Sequence, residues 1–353
     1  MRVWIDVLTP KQILFLTPLA RLLEERGHEV YTTTRNYREV TELSRLKNLS
    51  MEFVGEHGGG SLYRKLRNSA QRVVRLARSV STKGVEKAVS FSSVEAARVA
   101  FGLSIPHCCI SDSPHAEAVS KLTVPLSRLL FTPWVVPKRA WTRYGIRKSD
   151  IVQYKALDPL VWVKSFTPDA HFKEKLGLKG KEPVVTVRPP EEYAAYLLNS
   201  REKSATAKIV DTLVRSRLNL QIVVLPRYHE QVAFFKRRFK RNARVLEHGV
   251  DGANLLASTD FFIGAGGTMT AEAVLLGTPA ISCFPSHPTY VDRFLETRGL
   301  IRHVLNPKAI LKHVRSYLED EELVTEFRKK AARLREEMRS PLPLIAETIE
   351  AVS

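Results

Sequence analysis

The stretch Phe261-Phe-Ile-Gly-Ala-Gly-Gly-Thr-Met-Thr-Ala-Glu-Ala-Val-Leu-Leu-Gly-Thr-Pro-Ala-Ile-Ser282 admits few folds. A short apolar run is followed by a glycine cluster, a helical pattern, a Gly-Thr-Pro stop and a second apolar run. Two short apolar strands joined through one helix must lie parallel, with the helix crossing over the sheet. Gly264, Gly266 and Gly267 let the backbone turn sharply and come close to a ligand, because no Cβ intervenes. Thr268 is expected to cap the helix that starts at Met269. A helix start at the carboxyl edge of a parallel sheet presents unsatisfied N–H groups and favours a diphosphate. Glu272, one turn into that helix, is placed to meet a sugar hydroxyl. A glycine turn that serves only strand–helix packing is the alternative reading of the same residues.

The same alternation runs through most of the 353 residues. Strands are expected at Val3–Val7, 28–34, 51–56, Lys87–Phe91, 106–110, 130–136 and 150–155, with helices between them. The long helix at 61–80 follows Gly58-Gly-Gly60. A Pro- and Gly-containing stretch then precedes a second series, with strands at 184–187, 220–225, 243–246, 261–263 and 280–283. We expect an α/β chain of two doubly wound Rossmann-like domains facing each other across a cleft. The first covers residues 1–157, a connection 158–182, and the second 183–320. Helices over 321–353 are expected to return to the first domain.

Ligands of such sheets bind beyond the carboxyl ends of the strands, so strand-end residues are the site candidates. Arg188 can hold a phosphate by its fork of N–H groups, or pair on the surface with Glu191 or Glu192. Arg227, Tyr228 and His229 can frame a nucleotide. The prolyl loop after 283 carries Ser286, His287, Tyr290 and Asp292, which suit sugar hydroxyls. In the first domain Asp112 and His115 can supply acid–base chemistry, although Asp112 also fits a helix N-cap. Lys11 and Gln12 follow the first strand, where a dinucleotide fold would need G-x-G-x-x-G, so a dehydrogenase is disfavoured.

The net charge of +18 is spread over both halves and suits anionic lipid surfaces, nucleic acid or phosphorylated substrates, or equally a basic solvated surface with no such role. The helix after Gly60 carries Arg64, Lys65, Arg67, Arg72, Arg75 and Arg78 beside an apolar stripe of Leu62, Leu66, Val73, Leu76 and Val80. That stripe either packs on its domain or lies on an anionic membrane. The chain opens on a strand, so no signal peptide is expected, and no run has the apolar length of a membrane span. Cys108, Cys109 and Cys283 lack metal-ligand spacing. The expectation is a cytoplasmic protein, with peripheral membrane contact left open, no metal or cofactor, and no nucleic-acid partner.

At these residues the sequence resembles the GT-B superfamily of nucleotide-sugar enzymes. Gly264 to Glu272, continuing through Leu276-Gly-Thr-Pro-Ala280, is similar to the donor-site motif of the peptidoglycan N-acetylglucosaminyltransferase and to the Ser-Gly-Gly motif of UDP-N-acetylglucosamine 2-epimerases. The resemblance implies Gly266, Gly267 and Thr268 for the diphosphate and Glu272 for the ribose. It implies a UDP-type donor whose sugar is transferred, with 2-epimerisation or binding alone as alternatives. Asp6 to Lys11, Thr34 to Tyr37, Arg188-Pro-Pro, Pro226-Arg-Tyr and the glycine motif also resemble an uncharacterised, largely archaeal family. The departures are specific. Gln12 stands in the loop where many transferases have a catalytic His. Arg188-Pro189 replaces the epimerase His-Arg pair, and Ser92 or Ser93 stands where the epimerases have Asp.

Overall fold

The computed structural model describes residues 1–178, 180–191 and 205–352. Contacts divide the chain into two units, Met1–Val161 with Arg339–Ser353, and Trp162–Met338.

The first unit runs β1 (Arg2–Val7), α1 (Pro10–Glu25), β2 (Glu29–Asn36), α2 (Arg38–Leu46), β3 (Glu52–Glu56), α3 (Leu62–Ser81), β4 (Lys87–Ser90) and α4 (Val94–Gly102). It continues through β5 (His107–Ile110), α5 (Glu117–Thr123), β6 (Leu129–Pro133), α6 (Arg139–Thr142) and β7 (Ile151–Tyr154). Its seven strands are parallel, in the order β3-β2-β1-β4-β5-β6-β7. The order reverses between β1 and β4, which opens a crevice at their carboxyl ends.

The chain leaves this unit within α7 (Leu160–Val163). The second unit holds α8 (Phe172–Lys175), β8 (Val184–Arg188), α9 (Ala205–Val214), β9 (Gln221–Val224), α10 (His229–Phe239), β10 (Arg244–Val245), α11 (Gly252–Ala257) and β11 (Phe261–Gly264). Then come α12 (Thr268–Leu276), β12 (Ala280–Ser282), α13 (Tyr290–Thr297), β13 (Ile301–His303), α14 (Pro307–Glu319) and α15 (Glu321–Glu337). Its parallel order is β10-β9-β8-β11-β12-β13, so the reversal falls between β8 and β11. Both faces of this sheet are covered, as parallel sheets require. Val185, Val187, Phe261 and Ile263 pack under α9, α10 and α14, while Val184 and Val223 meet Leu255 of α11 on the other face.

Several expectations change. The prolyl loop expected after 283 gives way at Tyr290 to α13, and β13 and α14 follow where no element was expected; Thr289 and Asn306 cap the two helices. The helix expected between the strands at 130–136 and 150–155 is only the four residues of α6. Of the C-terminal helices expected to return to the first domain, α15 stays with the second unit, where Arg335 donates to the Leu275 carbonyl at 2.6 Å. Only α16 (Leu342–Ala351) joins the first unit, packing on α1 and bringing Glu350 to Arg26 (2.6 Å) and His28 (2.7 Å). The boundaries 157, 183 and 320 accordingly differ from the observed 161 and 338. The stripe on α3 divides: Val73, Leu76 and Val80 pack with Trp4 and Ala88, whereas Leu62 and Leu66 face solvent.

One polar cluster lies within the core of the first unit. Asp6, fully buried at the end of β1, receives Arg72 Nη1 at 3.0 Å, Ser93 Oγ at 2.6 Å and Thr33 Oγ1 at 2.6 Å. Trp4 Nε1 donates to Thr33, and Arg72 Nε donates to the Val54 carbonyl at 2.8 Å. Gly55 makes room for this arginine: its φ is +79°, and a Cβ there would stand 3.2 Å from Arg72 Cγ. Burial alone would raise the Asp6 carboxyl, but Arg72 and the three hydroxyl and guanidinium donors outweigh it, and the group lies below its ordinary 3.8. A buried ion pair loses heavily when one partner goes, because the other charge is left stranded. Arg72→Met is expected to cost about 3–5 kcal/mol in urea unfolding at pH 7. The Asp6 contribution is complete above pH 3.8 and is lost as pH falls through the still lower folded value. The gap between wild type and variant should therefore shrink below pH 4.

Candidate functional site

The sequence places its polar candidates where the strands of each sheet end.

In the second unit Gly264 is in register with Arg188 on one side and Ser282 on the other. The Ala265 N–H bonds to the Arg188 carbonyl at 3.0 Å, so the glycine turn leaves the sheet directly beside the end of β8. Gly266 and Gly267 take φ of +85° and +90°. Both angles favour glycine. Gly266 is restricted a second time by packing, because a Cβ there would collide with the Phe284 ring. A Cβ on Gly267 would meet only Arg227 Nη2, at 3.8 Å, so that position is fixed by its backbone angle and opens toward a cation. Gly267, not Thr268, is the N-cap of α12; Thr268 is its first residue, and no side chain caps the helix. The expectation that Thr268 caps the helix fails because the left-handed turn ends one residue earlier.

Arg188 is buried rather than on the surface, and its Nη1 donates to the carbonyls of Leu225 (3.1 Å) and Pro226 (3.3 Å). Arg227 donates through Nε to the Pro189 carbonyl at 3.3 Å and lies 3.5 Å from Glu191. Glu192 lies outside the described residues. The β8 and β9 loops are thus tied together by their own arginines, with Arg227 turned toward the glycine corner. Tyr228 is buried at the start of α10 and His229 is exposed. Glu272 is only 3% exposed, and Trp162 Nε1 donates to its Oε1 at 2.9 Å. The start of α11 lies beside it, since a Cβ on Gly252 would be 3.9 Å from the same oxygen. Sequence reasoning missed Trp162, because nothing local links it to a residue 110 positions away.

The loop after β12 turns out differently from the expectation. Asp292 is buried in a capping box, accepting from Thr289 N at 3.1 Å and Thr289 Oγ1 at 2.9 Å. Its carboxylate holds the start of α13, which is a structural task. Tyr290 is the first residue of that helix, and Ser286 and His287 are exposed ahead of it.

In the first unit Lys11 Nζ bridges two carboxylates, Asp112 Oδ2 at 2.6 Å and Asp158 Oδ2 at 2.7 Å, and lies 4.4 Å from the Phe91 ring centre. Tyr154 donates to Asp158 Oδ1 at 2.6 Å. Asp158, expected in the connection, therefore belongs to this cluster; the turn after β7 brings it back to Tyr154. Asp112 caps no helix: Ala116 occupies the N-cap of α5. Gln12 bonds the Leu8 N–H (2.6 Å) and the Phe91 carbonyl (2.9 Å), joining the loops on either side of the sheet reversal, so its role is structural. Ser93 caps α4 and donates to Asp6. His115 is exposed in the turn after Asp112.

One ammonium between two carboxylates forces them apart in acidity. Burial would raise Asp112, but Lys11 and Ser113 hold it below its ordinary value. Burial pushes Asp158 up to about 6, with Lys11 opposing and Asp112 adding to the rise.

Residues 1–347 match the family described as "Protein of unknown function (DUF354)", and the chain belongs to that family. It is 31% identical over 321 residues to Uncharacterized protein MJ0665 of Methanocaldococcus jannaschii, covering 90% of this chain and 91% of that one. The UDP-GlcNAc 2-epimerase from Neisseria meningitidis bound to UDP-GlcNAc is similar with a TM-score of 0.77 at 14% identity, over 100% of each chain. Spinosyn rhamnosyltransferase SpnG complexed with spinosyn aglycone gives 0.65 at 15% identity, over 99% of this chain and 100% of that one. At such identities the likeness is one of fold, the GT-B arrangement of two parallel α/β sheets shared by epimerases and glycosyltransferases.

A carboxyl raised in the folded state costs stability as pH rises from 3.8 through about 6. Asp158→Asn removes that cost and keeps a partner for Tyr154. Its melting temperature should gain on wild type between pH 4.5 and 7.5; a gap independent of pH would show that Asp158 ionises like a solvent-exposed carboxyl.

Proposed function

We propose that the second unit binds a nucleotide-sugar of the UDP type and that the chain transfers the sugar to an acceptor. The observation that carries this reading is the corner at Gly267, where a left-handed glycine opens α12 and the Arg227 guanidinium stands beside the space a side chain would fill. Helix N–H groups and a fixed cation that converge on one point suit a diphosphate. As the bond from the anomeric carbon to the diphosphate breaks, the leaving group gains charge. Arg227 and Arg188 offset it in a site already organised for that charge. Glu272, oriented by Trp162, serves the ribose.

The acceptor hydroxyl is assigned to the first unit, where Asp112 takes its proton as the new glycosidic bond forms. Asp112 alone is a weak base, since Lys11 holds it ionised. Together with Asp158 it forms a set of two carboxylates and one ammonium, which takes up a proton as a unit near the Asp158 value of about 6. The base form therefore predominates above that pH. His115, exposed beside Asp112, is the second candidate for proton transfer.

UDP should raise the melting temperature of the wild-type protein by mass action. Arg227→Ala is expected to weaken UDP binding about 10- to 100-fold, the worth of a hydrogen bond to a charged group. Asp112→Asn should bind UDP as wild type does but lose turnover. With UDP-N-acetylglucosamine as donor, free UDP with a glycoside supports transfer, whereas N-acetylmannosamine would assign 2-epimerisation. Absence of any UDP-dependent shift in the wild type would defeat the reading.

A further inference from the structure

Helix α3 carries six cations and no Asp or Glu. Arg72 turns inward to Asp6, which sets the rotation of the helix and aims the other side of its first turns at solvent. Leu62, Tyr63 and Leu66 are 65%, 71% and 73% exposed there, with Arg64 and Arg67 exposed beside them. Large apolar side chains grouped at one helix end and interleaved with arginines are not the ordinary scatter of a solvated surface.

Beside them lies a depression of about 400 Å³, open to solvent and lined by the loop Glu56–Gly59 and by Arg64, Arg67 and Asn68 of α3. Gly58 brings that loop against the helix, since a Cβ there would collide with the Lys65 backbone. The Gly59 N–H donates to His57 Nδ1 at 3.1 Å, and the His57 ring packs on Tyr37 with centres 4.8 Å apart. Burial pushes His57 down to about 4, helped by the charges of Arg35 and Lys65, so the ring is neutral at pH 7. Among the described residues Glu56 is the one carboxylate lining the depression, and Arg64 with Arg67 outweighs it.

We propose that this corner of the first unit docks on an anionic phospholipid surface. A headgroup phosphate enters the depression between Arg64, Arg67 and Asn68, and Leu62, Tyr63 and Leu66 enter the acyl boundary. The charge sign selects an anionic surface, and the apolar side chains at the same helix end select a lipid over a soluble phosphate. This goes beyond the nucleotide-sugar reading and does not depend on it.

The test is co-sedimentation of the full chain with vesicles of phosphatidylcholine containing phosphatidylglycerol, against phosphatidylcholine alone, with inorganic phosphate titrated separately. Wild type should bind the anionic vesicles and lose them in high salt. R64Q/R67Q should weaken vesicle binding about thirtyfold, and L62S/L66S about tenfold or more. Both variants should keep the wild-type melting shift with UDP, which separates this result from failure of the donor site. No binding of wild type to anionic vesicles overturns the proposal, as does equal binding by wild type and both variants. Binding of inorganic phosphate without vesicle binding, or salt-sensitive binding of RNA in place of vesicles, also overturns it.

Discussion

The fork between Arg72 and Asp6 is the interaction from which the first unit takes its shape. It joins the end of β1 to α3, and through Thr33, Val54 and Ser93 it reaches β2, β3 and the cap of α4. A charge pair withdrawn from water is a poor source of stability when compared with apolar packing. Its value here is positional. A guanidinium with five donors and a fixed plane can be satisfied in only one orientation. The apolar face of α3 alone would tolerate a slide along the sheet, whereas the fork does not.

The two sheets use their reversal points differently. Between β8 and β11 the backbone itself forms the corner, through left-handed glycines and carbonyls that hold Arg188. Next to β1 in the first sheet, the corresponding position is filled by side chains: Gln12 spans the reversal and Lys11 joins Asp112 to Asp158. A backbone corner with a cation suits a ligand that brings strong charge. The Lys11 cluster instead ties its own charges together, with Asp158 pushed up to about 6 by burial.

The sequence was most legible where a signal is local. Strand and helix alternation, the glycine corner and the inward half of the α3 stripe all follow from residues within one or two turns of each other. Short elements were lost: β13 has three residues, too few for a period to register. Thr268 looked like a cap because its residue type favours that position, but Gly267 already occupied it with a backbone angle threonine rarely adopts. Asp292 looked like a ligand for hydroxyls until its partner proved to be Thr289, three residues before it. Pairs such as Lys11 with Asp158, or Trp162 with Glu272, depend on strand order and leave no trace in local spacing.

The last helix has a consequence for how the chain is made. Ile345, Ala346 and Ile349 of α16 are buried, and the helix packs on α1, so the first unit is finished by residues beyond 338. Everything from Trp162 to Met338 must leave the ribosome in between, which takes about ten to thirty-five seconds at ordinary rates of synthesis. During that interval the part of α1 that meets α16 waits without its cover. The nascent protein thus cannot complete its domains in the order of their synthesis, and the half begun earliest is closed last.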